Sequence, residues 1–187
     1  MRDGRRGAMA WIALAMLATG GLAPQLAPAD TAPLASSVKA AFLYKFLSYI
    51  ELPPTAFAQP DSPIVIGVAG ADDVYEELAR VVQGRSVGSR ALAVRRLAEG
   101  ASPAPVQLLF VGAAIDLARS PLVRRAHELH VPLVTDAPDG LAEGGLINFV
   151  MVQSRVRFEV SLEAAERDAV KVSSRVLSVA QRVVGPR

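Results

Sequence analysis

The chain has 187 residues, about half of them apolar, with 20 basic and 18 acidic side chains, two histidines and no cysteine. Without cysteine there is no disulfide, thiolate metal site or cysteine nucleophile, so the fold must be held by packing. Residues 1–29 carry three of the arginines and one aspartate; the remainder has the two signs in balance, which gives no electrostatic case for nucleic acid.

Arg2, Arg5 and Arg6 precede an apolar run, Ala8 to Ala18, too short to span a bilayer. Gly20-Gly21 interrupts it, and Ala27-Pro28-Ala29 offers the small residues a signal peptidase accepts. Residues 1–29 therefore read as a secretory signal cleaved before Asp30, and residues 30–187 as one domain that does not span the membrane after processing. Residues 30 to 36, rich in Pro, Ala and Ser, read as a leader without structure of its own.

"SSVKAAFLYKFLSYIELP" predicts a helix that ends before Pro53-Pro54. "SPIVIGVAG" is a short apolar run rich in β-branched residues, read as a buried strand, and Asp72-Asp73 are expected to cap the helix "DDVYEELARVVQ" up to Gly84. "ALAVRRL" and "VQLLFVG" read as strands, "PLVRRAHEL" as a helix opened by Pro121, and "VPLVTD" as a further buried strand. "LINFVMV" and "VRFEV" flank the short "QSR" link and predict a hairpin, followed by two closing helices. In the last of these, Val172, Val176, Val179 and Val183 predict one apolar stripe that docks on the sheet. The pattern is that of an α/β fold: a single domain with a mainly parallel sheet flanked by helices, a C-terminal β-hairpin and closing helices.

Chemistry-bearing motifs are weak. The turn "GVAGADD" sits where α/β proteins hold phosphates, but Asp72 and Asp73 put negative charge where a phosphate needs open amides. His127 and His130, with Glu128 between them, stand near a helix end, where histidines more often meet the last carbonyls than a metal. Glu76-Glu77 and Glu163-Glu166 read as solvated helix faces, and no Gly-x-Ser-x-Gly elbow occurs. The reading is therefore of a protein that is not an enzyme and has no cofactor or metal site; a hydrolase would need a Ser or Asp beside His127 or His130 in a cleft.

The first helix is more informative. Val38, Ala41, Phe42, Phe46 and Tyr49 form one apolar face, and Leu43, Leu47 and Ile50 form another about 130° away at 100° per residue. The phenylalanine face is expected to be core and Leu43, Leu47 and Ile50 a partner surface. In the hairpin, Val156, Phe158 and Val160 alternate with Arg155, Arg157 and Glu159, which are second-rank partner candidates because arginine is common among residues that dominate interfaces.

Three stretches, "VKAAFLYKFLSYIELP", "IVIGVAG" and "GGLINFVMVQSRVRFEVSLEAAERDAVKVSSRVLSVA", resemble in order the YfiR-like periplasmic proteins over most of residues 38–181. The resemblance implies a secreted, non-enzymatic regulator. It would bind and repress the periplasmic sensor domain of an inner-membrane diguanylate cyclase, so controlling cyclic di-GMP, or act on a sensor kinase. A homodimer is a further partner state, and the competing class is a periplasmic small-molecule-binding module acting with a sensor kinase or transporter. A concave pocket with converging polar groups would favour the module, and an apolar patch on the first helix the protein partner. Two departures stand out: the absent cysteine pairs, which exclude control by oxidation of the regulator itself, and Ser161 and Ala169-Val170, where the family usually has Asn and Gly-Leu.

Overall fold

The computed structural model describes residues 31–185, so the predicted signal segment, residues 1–29, lies outside it. The chain opens with α1 (Thr31–Phe46), then β1 (Ile50–Glu51), β2 (Ile64–Ala69), α2 (Asp72–Val82), β3 (Ser86–Val87) and β4 (Arg90–Arg96). It continues through β5 (Leu108–Val111), α3 (Pro121–Glu128), β6 (Leu133–Thr135), β7 (Ile147–Val152) and β8 (Arg155–Ser161). The last elements are α4 (Leu162–Arg167), β9 (Lys171–Val172), α5 (Ser174–Val179) and β10 (Arg182–Val184).

Eight strands form one sheet in the order β10-β8-β7-β6-β5-β2-β4-β3. The run from β7 through β6, β5 and β2 to β4 is parallel. β8 is antiparallel to β7, and β10 is parallel to β8. The residues of β5 and β6 are all buried, as continuous apolar runs in a sheet covered on both faces require. One face carries α1 and α2, with Ile66, Val68, Phe110 and Ile147 under Leu43, Phe46 and Leu78. The other carries α3, with Leu109, Val111 and Leu133 under Leu122, Val123 and Ala126. This is the α/β architecture expected from the sequence.

The hairpin forms at the expected place. Gln153 and Ser154 both take positive φ, 48° and 59°, which is the two-residue turn whose twist matches its strands. Ser161 then caps α4 by accepting a bond from Ala164 N at 3.1 Å. An asparagine would do the same, so this departure from the family pattern keeps the cap. The second departure is costly, because Ala169 sits at φ 53°, a left-handed conformation that glycine adopts freely and alanine does not. Ala169→Gly is expected to stabilise the fold by up to about 1 kcal/mol, since relief of left-handed strain outweighs the added chain entropy. Thermal denaturation checks this, and an unchanged or lower Tm would contradict it.

Four expectations need correction. The Pro/Ala/Ser-rich leader is helical from Thr31. Asp72 and Asp73 are not caps: they lie in the first turn of α2, after Ala71, and turn outward, Asp72 to Arg96 at 3.1 Å and Asp73 to Ser36. The single closing helix is three elements, with Val172 in β9, Val176 and Val179 in α5, and Val183 in β10. Its valines are β-branched, and where β8 offers an unpaired edge the strand conformation wins. The fourth correction concerns α1. Leu43, Leu47 and Ile50 are 0%, 4% and 6% exposed, so they belong to the core and offer no partner surface. The helix is apolar around most of its girth because one side packs on α2 and the other on the hairpin. Tyr49, assigned to the core face, is instead exposed at 37%.

Candidate functional site

The carboxyl ends of parallel strands are where open α/β sheets bind ligands, above all where the strand order reverses, here between β2 and β5. That position is closed. Gly112 approaches so near to Gly70 that a Cβ on it would lie 2.4 Å from the Gly70 carbonyl oxygen, and a Cβ on Gly70 would strike Ile115. The "GVAGADD" turn is therefore packed against Gly112 and Ile115, although no side chain caps the helix that follows it.

The open space lies beside it, past the end of β6. A groove of about 930 Å³ is lined there by the segment Asp136–Gly144, by Phe149, Val150 and Met151 of β7, and by Glu159, Arg182 and Val184. Its first wall is fixed by polar bonds. Asp136 accepts from Ala113 N at 2.6 Å and from Lys39 Nζ at 2.5 Å, which ties α1 to the end of β6. Asn148 ends the β6 ladder. With its amide nitrogen turned to the two carbonyls, it donates to Thr135 O at 3.1 Å and Ala137 O at 3.2 Å, so these carbonyls are satisfied by a side chain.

On the outer face of the hairpin the three predicted candidates behave differently. Glu159 is taken: Arg182 grips it with two bonds, 2.8 and 2.9 Å, and thereby fastens β10 to β8. Arg155 and Arg157 are exposed and make no ion pair or side-chain hydrogen bond among the described residues. Of the hairpin candidates Glu159 lines the groove, Arg155 and Arg157 stand exposed on the same face of β8 nearer the turn, and Leu43, Leu47 and Ile50 are buried away from it.

A second cluster joins α3, α4 and the Gly-Gly turn that enters β7. Asp168 is fully buried and bound by both arms of its neighbour Arg167, at 2.9 and 2.8 Å, while Arg167 also donates to Gly144 O at 2.9 Å. Sequence reasoning missed this pair, since nothing local marks a buried aspartate beside an arginine. His130 Nδ1 is 4.0 Å from Asp168, whose carboxylate is shut away from solvent. His127 packs against Gly144, where φ is 88° and a Cβ would lie 2.8 Å from the imidazole. Its Nε2 is buried without a well-formed hydrogen bond. Among the described residues no three His, Cys, Asp or Glu side chains gather to hold a metal.

Burial holds the His127 imidazole below its ordinary value of 6.5, and the Arg167 guanidinium pushes the same way against the weaker pull of Asp168, the Gly144 main chain and Glu143. The sign follows. With the folded value depressed, the unfolded chain binds more protons below about pH 6.5, so this contribution is complete above that pH and is lost as pH falls through the folded value. His127→Gln is expected to flatten the acid side of the Tm-versus-pH curve relative to wild type. Identical slopes between pH 4.5 and 6.5 (roughly the window of a lowered histidine) would contradict it.

Residues 36–181 match the sequence model of a family described as YfiR/HmsC-like. No curated protein matches the chain. No helix among the described residues is long and apolar enough to cross a membrane.

Proposed function

Because the chain belongs to the YfiR/HmsC-like family of periplasmic regulators, we propose that it is an exported, non-catalytic repressor. On this reading it binds the periplasmic sensor domain of an inner-membrane diguanylate cyclase, holds the cyclase inactive and so lowers cyclic di-GMP. The family match across residues 36–181 carries this reading, and Arg155 and Arg157 supply a surface for it, being exposed charges with no partner within the described chain. An exposed arginine left unpaired costs the free protein nothing and gives a bidentate anchor to a carboxylate on a partner.

The double charge reversal Arg155→Glu/Arg157→Glu tests it. These side chains project from the solvent-facing side of β8, so Tm is expected to stay within a degree or two of wild type, as surface substitutions usually change stability by less than about 0.5 kcal/mol. In a strain deleted for the native gene, wild-type protein should lower cyclic di-GMP and the reversal variant should not. Equal repression by both would remove the arginines from the account.

One observation favours a second reading, a small-molecule-binding module. The groove beyond β6 is concave and presents Asp139, Glu159, Arg182 and Lys39 together, whereas the apolar faces of α1 are covered. The two readings meet if a ligand in this groove signals through the adjoining hairpin.

A further inference from the structure

β7 outlasts the strand beside it. Its residues Ile147 and Asn148 pair with Val134 and Thr135 of β6, and there β6 ends, while β7 runs on with β8 to Val152. Residues 149–152 therefore border no strand on their second side, and three of them, Phe149, Val150 and Met151, line the groove. The main-chain bonds of the segment leaving β6 go to itself, as from Gly140 to Ala137 and from Gly145 to Gly140, and it does not close this edge.

The direction of the main-chain groups follows from the hairpin. In an antiparallel ladder alternate residues exchange both bonds with the partner, and the pair closing a two-residue turn is such a pair. Val152 and Arg155 close the turn, so Val150 and Asn148 bond to β8, and Met151 turns its N–H and C=O toward the groove. Ser161 N donates to Leu146 O at 2.9 Å, which is the bond this register demands around the pair Ile147 and Val160. A sheet edge with free main-chain groups beside a groove is the receptor in β-strand addition. Met151 is 57% exposed there, an apolar side chain left for an incoming strand to cover.

We propose that the free edge of β7 receives an extended acidic segment of a partner protein, which adds as a strand past the end of β6. The charge of the occupant comes from Arg155 and Arg157, which pair with Val152 and Val150 across the hairpin, exposed on the same face and one strand back from the free edge. A second copy of the chain pairing at the same edge would set these arginines against their own counterparts, so a carboxylate-bearing segment is the fitting occupant. This deepens the regulator reading and rests on it only for where such a segment comes from. The peptide experiment below contains no cyclase, so its failure would leave the cellular result untouched, and the reverse.

The probe is a fluorescein-labelled octapeptide alternating valine and glutamate, compared with a twin that has lysine for glutamate, each titrated with the full exported chain. The glutamate peptide should bind saturably, slow hydrogen exchange at the Met151 amide, and bind at least about tenfold more tightly than its twin. Met151→Pro removes the outward N–H without touching the β8 ladder, and should weaken binding about tenfold. Should that variant not fold, Arg155→Glu/Arg157→Glu decides, because it should exchange the preference to the lysine peptide. Equal binding of the two peptides, no binding of either, or unchanged preference in the reversal variant would overturn the proposal.

Discussion

Phe46→Ala is expected to cost about 3–5 kcal/mol of folding stability, the range for deleting a buried phenylalanine, and to lower Tm by on the order of 10 °C in a domain of this size. Phe46 is 2% exposed and lies in a ring cluster, 5.0 Å from Phe158, 5.8 Å from Phe42 and 6.0 Å from Phe149 by centroids. These contacts join α1 to both strands of the hairpin, so the loss should spread to the element that carries Arg155 and Arg157. Leu43→Ala, on the helix face that the periodicity assigns to a partner, is expected to cost about 2–5 kcal/mol as well, because that side chain is buried too. Thermal and urea denaturation of both variants checks this. A Leu43 variant as stable as wild type would restore the leucine face as a surface.

The second large effect is expected at Asp168. Removing one partner of a buried pair usually costs about 3–5 kcal/mol. Asp168→Ala should fall near the lower end, about 3 kcal/mol, because Arg167 keeps some contact with water and its bond to Gly144. Asp168→Asn should recover part of the loss, since one carbonyl oxygen can still accept from Arg167. Chemical denaturation of the three proteins gives the comparison, and an alanine variant as stable as wild type would show that the pair contributes nothing to holding α4 against the turn into β7.

Both effects bear on what the sequence disclosed. The strands β2, β5 and β6 were legible because each is a short, mainly apolar run with Gly or Pro close to one end, a pattern that a sheet covered on both faces imposes. The hairpin was legible from strict alternation in β8. Periodicity placed two apolar faces on α1 but had no means of saying what covers them, since a face buried on α2 and a face buried on a partner have the same composition. The closing valines failed for a related reason: residues 172, 176, 179 and 183 fit a helical stripe, yet β-branched residues also suit strands, and only the unpaired edge of β8 decides between them. Of the candidate site, Arg155, Arg157 and Glu159 could be named in advance, while the groove could not. It exists because β7 is longer than β6 and Asn148 caps the shorter strand, a relation between segments far apart in the chain.

On the function proposed above, this chain works by binding a signalling protein through the open end of the β7–β8 hairpin. A photo-crosslinking residue placed at position 155 in living cells tests it most directly, with position 76 on the exposed side of α2 as the control. The expected result is a covalent adduct from position 155, and none from position 76, with the periplasmic domain of an inner-membrane enzyme that makes cyclic di-GMP. Adducts from position 76 alone, or none from either position while cyclic di-GMP is still repressed, would contradict it.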